Sequence, residues 1–223
     1  RQLPQHYGQK DLNIVSQSSP TGTQYLQAVG TAMAVRQTGK KALVYVSSGE
    51  GTTSQGEFHE ALNWAGREKL PVLFHIEDNG FAISVPKSSQ TAEGSVYDMV
   101  GGYGNLNRFE TDGTDFFESY ATFKAAIESI RAGKGPAIVV SNVVRLLPHS
   151  SSDDHRKYRD AKELSEEQKR DPIEKFRAQC ELGGIISSEE FQQVWNDVLL
   201  EVDEAAEKAL SAPFPERADA DTH

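Results

Sequence analysis

Apolar and polar positions alternate along the chain in a way that predicts short buried strands separated by amphipathic helices. Residues 43–46 and 72–76 are apolar runs of strand length, and residues 55–69 between them place Phe58, Leu62 and Ala65 at helical spacing. This is a βαβ unit, which predicts parallel strands joined by a right-handed crossover. Residues 25–38, rich in small side chains and closed by Gly39, predict an earlier helix. Residues 107–111 predict a strand, and residues 116–130 a helix with Phe116, Tyr120, Phe123, Ile127 and Ile130 along a core face. A buried strand over residues 137–143 completes the alternation.

The resulting expectation is an α/β fold, a doubly wound parallel sheet with helices on both faces, over residues 1–162. Residues 163–223 form an acidic helical C-terminal extension. Pro172 suits a first helical turn, and Phe191, Val194, Trp195, Val198, Leu199, Val202, Ala205, Ala206, Ala209 and Leu210 form an apolar stripe. Such a stripe packs on the domain or on a partner subunit.

Composition narrows the class. The 223 residues are 37% hydrophobic and 25% charged, an ordinary globular composition with no run approaching the roughly 20 apolar residues of a membrane span. The net charge of −10 lies wholly in residues 163–223, which argues against nucleic acid as a partner. The single cysteine, Cys180, rules out an internal disulfide and reads as a small buried side chain on a helix. Residues 1–8 read as the middle of a loop, the start of a fragment.

The chemistry gathers at the two strand ends. The first run leads into Gly49-Glu50-Gly51-Thr52 and the second into Asp78-Asn79-Gly80. In an open α/β sheet the ligand crevice lies beyond the carboxyl ends of the strands. Glycines there allow close approach or positive φ, and a following helix start offers N–H groups to a phosphate. A carboxylate and an amide oxygen beside a diphosphate are ligands suited to magnesium. The glycine spacing matches neither the dinucleotide fingerprint nor the P-loop. Taken singly, each motif is also readable as a turn.

The pair, 29 residues apart, resembles the thiamine diphosphate motif of the α subunits of 2-oxo acid dehydrogenases, with Glu50 where the usual residue is Asp. The branched-chain members tolerate that Glu. Two further stretches carry the resemblance. Ser18-Ser19-Pro20-Thr21-Gly22-Thr23-Gln24, whose hydroxyls on local grounds read as helix caps, is similar to a branched-chain segment that touches cofactor and encloses potassium. The segment Arg145, His149, Ser150, Ser152, Asp153, Asp154, Tyr158 and Arg159, by composition a solvated loop, resembles the loop over the active site. A zinc reading of His149, Asp153 and His155 lacks the usual spacing, and His59 and His75 read as ordinary helix and strand residues.

The resemblance implies a set of roles. Glu50, Asn79 and the Phe81 backbone oxygen would hold Mg2+, and Ser18, Pro20, Thr23 and Gln24 a possible K+. Ser19, Thr21, Gly49, Gly51, Thr52, Ile83, Arg145 and His149 would line the thiamine diphosphate, with Arg145 clamping a diphosphate oxygen. His149 would be the catalytic residue, binding substrate and moving a proton as the acyl group passes to lipoyl. Ser150 corresponds to a phosphorylated serine in animal relatives. The implied activity is oxidative decarboxylation of a branched-chain 2-oxo acid, and the implied partners are a β subunit in an α2β2 assembly and a lipoyl-bearing acyltransferase core. The expected location is the cytoplasm in a bacterium or the mitochondrial matrix in a eukaryote. Relatives draw an activating glutamate from the β subunit and diphosphate-gripping residues from upstream of Arg1, so these residues alone are expected to be inactive. A pyruvate or acetoin dehydrogenase α subunit and a catalytically incomplete assembly fragment are the alternatives.

Overall fold

A computed structural model describes residues 6, 8–16, 18–214 and 216–218. It divides into two compact units, Ser18–Phe176 and a second formed from Arg1–Gln17 with Arg177–His223. The first unit carries the sheet. Its strands β1 (Val44–Gly49), β2 (Val72–Asp78), β5 (Asn107–Asp112) and β6 (Ala137–Asn142) stand in the order β1-β2-β6-β5, all parallel. Two short strands, β3 (Phe81–Ala82) and β4 (Val85–Pro86), make an antiparallel hairpin just beyond β2.

Residues of period two send alternate side chains to opposite faces of the sheet. Val72, Phe74 and Ile76 of β2 and Ile138 and Val140 of β6 join Tyr25, Phe58 and Leu62, from helices α1 (Thr23–Gln37) and α2 (Gly56–Glu68), in one core. Leu73, Ala137 and Val139 face the other way and pack on Ala126 and Ile130 of α4 (Phe116–Arg131). The helices therefore cover both faces, as the sequence predicts. In an open parallel sheet of this kind the ligand crevice lies beyond the carboxyl ends of the strands, where β1 and β2 deliver their end loops.

Three details differ from expectation. β1 runs three residues beyond its apolar stretch, because Ser47, Ser48 and Gly49 continue the parallel register against His75, Ile76 and Glu77. The N-cap position of α1 is held by Gly22, at φ +101°, and not by one of the hydroxyl residues before it. The aromatic face of α4 is core only in its later turns, since Phe116 and Tyr120 are exposed and Phe116 instead meets Phe176 with ring centroids 4.5 Å apart.

A short helix, α3 (Val96–Met99), precedes β5, and beyond β6 the chain is helical through α5 (Ala161–Gln168), α6 (Pro172–Leu182) and α7 (Ser188–Ser211). A reciprocal Ser187–Glu190 capping box opens α7. Cys180 is buried, while Val194, Trp195, Val198, Leu199 and Val202 of the α7 stripe are exposed. Among the described residues no helix is long and apolar enough to cross a membrane.

Candidate functional site

The carboxyl ends of β1 and β2 bring Glu50 and Asn79 together. Glu50 opens a 3-10 turn (Glu50–Ser54) between β1 and α2 and is wholly buried. Its Oε2 accepts the backbone N–H of Asn79 at 3.2 Å, and its Oε1 is buried with no hydrogen-bond partner. Burial pushes the Glu50 pKa up, against the backbone N–H groups of Glu50 and Asn79; Asp78 adds to the rise and Lys87 opposes it. A buried carboxylate oxygen without a partner is unfavourable unless a cation meets it.

Asn79 turns its Oδ1 back to accept the Phe81 N–H at 3.1 Å, leaving that oxygen further acceptor capacity. Asp78 is buried beside it and ion-paired with Lys87, Nζ to Oδ2 at 2.6 Å. Among the described residues no group of three or more His, Cys, Asp and Glu is arranged to hold a metal, His149, Asp153 and His155 included. A cation at Glu50 would draw its other ligands from amide, main-chain and phosphate oxygens, which a hard divalent ion accepts.

Close approach accounts for Gly51. A Cβ there would stand 2.7 Å from the Ala82 Cβ, so the glycine lets the Glu50 turn lie against the β3–β4 hairpin. Neither Gly49 nor Gly51 adopts positive φ, and a Cβ on Gly49 would meet nothing closer than 3.8 Å. The strained residue is Ile83, an exposed β-branched side chain at φ +57° in the hairpin turn.

The segment before α1 abuts the same turn. At Gly22 a Cβ would come 2.8 Å from Gln55 and 3.9 Å from the Thr52 methyl, and the Tyr25 hydroxyl is hydrogen-bonded to Ser48. The Ser18 and Thr23 hydroxyls are hydrogen-bonded, Thr23 Oγ1 donates to the Pro20 carbonyl at 2.9 Å, and Gln24 Oε1 accepts the Gly22 N–H at 2.9 Å. Ser18, Pro20 and Thr23 thus share one knot of oxygens, whereas the Gln24 oxygen faces the Gly22 amide. Ser19 and Thr21 are exposed beside them.

The loop after β6 is fastened to the hairpin through Phe81. Arg145 donates to the Ile83 carbonyl and to the Tyr158 hydroxyl, both at 2.8 Å, and lies 5.6 Å from the Phe81 ring centroid. The buried guanidinium of Arg159 lies 5.0 Å from the same centroid, donates to the Arg145 carbonyl at 3.0 Å and is ion-paired with Glu163 and Glu167. Tyr158 donates to Asp153 Oδ2 at 2.7 Å, and that oxygen also accepts the His149 N–H at 2.9 Å. These two hydrogen bonds hold the Asp153 carboxyl below its ordinary pKa. His149 and Ser150 are exposed on the loop.

The Phe81 ring, beyond its main-chain oxygen, is therefore a docking face that the sequence reading missed. Missed too were Tyr25, Lys87 and Gln90, whose Nε2 donates to the Gly51 carbonyl and to Ser54 Oγ at 2.9 Å each. Their only signal in the sequence was polar or aromatic character close to a motif.

Comparison with known proteins bears on the same residues. The family described as "Dehydrogenase E1 component" matches residues 1–218. The "2-oxoisovalerate dehydrogenase subunit alpha" of Bacillus subtilis is 41% identical over 214 residues, covering 96% of this chain and 64% of the relative. The "3-methyl-2-oxobutanoate dehydrogenase subunit alpha" of Mycobacterium tuberculosis is 37% identical over 177 residues, 79% of this chain and 48% of the relative. The "Pyruvate dehydrogenase E1 component subunit alpha" of Bacillus subtilis is 34% identical over 204 residues, 91% of this chain and 55% of the relative. The chain spans about half to two thirds of the length of these relatives.

Proposed function

Since the chain belongs to the dehydrogenase E1 component family, we propose that it is the cofactor-binding part of the α subunit of a branched-chain 2-oxo acid dehydrogenase. The observation that carries this reading is the partnerless, buried Oε1 of Glu50 at the carboxyl edge of a parallel sheet, one hydrogen bond from Asn79. When bound, thiamine diphosphate supplies the nucleophilic carbon and the electron sink for decarboxylating a 2-oxo acid.

The chain's own residues hold and orient. Glu50, Asn79 and the Phe81 carbonyl would hold Mg2+, which would neutralise charge on the diphosphate. Gly49, Gly51 and Thr52, with Ser19 and Thr21 from the neighbouring segment, border the cofactor. Ile83, held in a left-handed turn, is the apolar residue that would support the cofactor. Arg145, permanently charged, joins the hairpin to the loop and offers positive charge to a diphosphate. His149 binds the substrate carboxylate and moves a proton during acyl transfer. Ser18, Pro20 and Thr23, with Gln24 turned from the Gly22 amide, would hold K+. A β subunit completes the assembly, and a lipoyl-bearing acyltransferase receives the acyl group.

The branched-chain assignment rests on the higher identity to the 2-oxoisovalerate and 3-methyl-2-oxobutanoate enzymes than to the pyruvate enzyme. The test is turnover by the complete subunit with its β partner, Mg2+ and thiamine diphosphate, using an artificial electron acceptor and 3-methyl-2-oxobutanoate or pyruvate. Branched-chain preference, lost in Glu50→Ala and His149→Ala, is the expected result. A preference for pyruvate would move the chain to the pyruvate class. Turnover that survives Glu50→Ala would refute the site.

A further inference from the structure

We propose that Lys87 and Gln90 are positioning residues that preset the distance between Glu50 and Asn79, acting as one clasp across the two strand-end loops. The inference rests on the Mg2+–diphosphate site proposed above and assigns it two further residues. Both belong to a single turn. The 3-10 turn Lys87–Ser89 follows the hairpin, and its first carbonyl accepts the N–H groups of Gln90 at 3.0 Å and Thr91 at 2.8 Å.

Each side chain reaches a different loop. The Gln90 amide donates to the Gly51 carbonyl and Ser54 Oγ, with the Glu50 carbonyl at 3.4 Å, and so grips the turn that begins with Glu50. The Lys87 ammonium grips Asp78, the residue before Asn79, and the Lys87 N–H donates to the Gly80 carbonyl at 2.8 Å on the other side of Asn79. Asn79 is thus held from both flanks and Glu50 from behind.

The need for a clasp follows from the sheet. β1 and β2 are in register up to Gly49 and Glu77, and beyond those residues the ladder no longer fixes the separation of the two loops. Two ligands on separate loops bind a small octahedral ion well only if their spacing is set before the ion arrives. Residues that orient metal ligands in this way typically change affinity about 10- to 100-fold when removed.

The experiment uses the complete subunit with its β partner. Thiamine diphosphate binding is measured by equilibrium dialysis while Mg2+ is titrated, alongside the unfolding temperature without cofactor. Gln90→Met keeps length and removes the donor. Asp78→Asn with Lys87→Met removes both charges together, so that no buried charge is left unpaired. Each is expected to raise the Mg2+ requirement about tenfold with little change in the cofactor-free unfolding temperature. Combining them should give less than the product of the two effects, because both act on one spacing. Lys87→Arg, which keeps the ion pair, should bind like the unaltered protein.

An unchanged Mg2+ requirement, or one that shifts only in proportion to lost thermal stability, would overturn the clasp. Glu50→Ala separates the two readings. Binding lost there but kept in Gln90→Met removes the clasp alone, whereas binding kept in Glu50→Ala removes the metal site and the clasp with it.

Discussion

Glu50 and Asn79 are joined by a hydrogen bond from the Asn79 N–H to Glu50 Oε2, while Glu50 Oε1 stays buried without a partner. The two halves of one carboxylate thus have different circumstances: one is tied to the Asn79 N–H and the other is available to a cation. A buried charge in that state weakens the cofactor-free protein.

Glu50→Gln is therefore expected to leave the cofactor-free protein as stable or to stabilise it by about 1 kcal/mol, while abolishing the stabilisation that Mg2+ and thiamine diphosphate give. The pH dependence has a definite sign. Because the folded pKa is raised, the carboxyl's contribution is fully present below the unfolded value near 4 and is lost as pH rises through the folded pKa. Thermal unfolding against pH, without cofactor, should show this decline in the unaltered protein and not in Glu50→Gln. Equal slopes in the two would sink the prediction.

Gly51→Ala puts a Cβ 2.7 Å from the Ala82 Cβ, a distance that forces the Glu50 turn and the hairpin apart. The expected cost is about 1–3 kcal/mol, the range for overpacking, together with loss of cofactor binding. Adding Ala82→Gly should recover part of both. Gly49→Ala, with no such contact, serves as the comparison, and an equal penalty at both glycines would contradict the argument.

His75 is a structural histidine held neutral. Its Nδ1 meets the Tyr45 hydroxyl at 2.8 Å and its Nε2 meets Ser141 Oγ at 3.0 Å, linking β1, β2 and β6. Burial lowers its pKa to about 4. With the folded value below the unfolded one of about 6.5, stability is full above pH 6.5 and falls as pH drops toward 4, by at most about 3 kcal/mol. Denaturant melts of His75→Gln should lack this acid-side slope between those pH values; an unchanged slope would place its origin elsewhere.

The parts of this fold that were legible in the sequence share a cause. Strands β2 and β6, buried on both faces, read as continuous apolar runs, and α2 carries its core residues at regular helical spacing. Glu50 and Asn79 were legible because turn chemistry marks a strand end. What escaped was set by tertiary contact. Ser47 to Gly49 are strand only because β2 offers them partners, and Phe116 and Tyr120 are exposed although they share a stripe with Ile130. Lys87 and Gln90 act through side chains reaching back 9 and up to 40 residues, and no local pattern records such a reach.

The last prediction concerns how His149 is carried. Arg145 donates to the Tyr158 hydroxyl, Tyr158 donates to Asp153, and the same Asp153 oxygen accepts the His149 N–H. Tyr158→Phe removes both hydrogen bonds of that hydroxyl and leaves the ring beside Phe81, 6.1 Å between centroids. Each lost bond is worth about 1 kcal/mol, so amide exchange over residues 145–159 should quicken by roughly tenfold or more with the global unfolding temperature nearly unchanged. A phosphate on Ser150 would bring about two negative charges near Asp153, whose N–H the Ser150 carbonyl accepts at 3.1 Å, and should loosen the loop in the same way. Hydrogen exchange of Tyr158→Phe and of the Ser150-phosphorylated protein, compared with the unaltered one, checks both expectations. Protection that persists in Tyr158→Phe would show that Arg159 and Phe81 hold the loop without it, and mass spectrometry of native protein that finds Ser150 unmodified would count against its regulatory use.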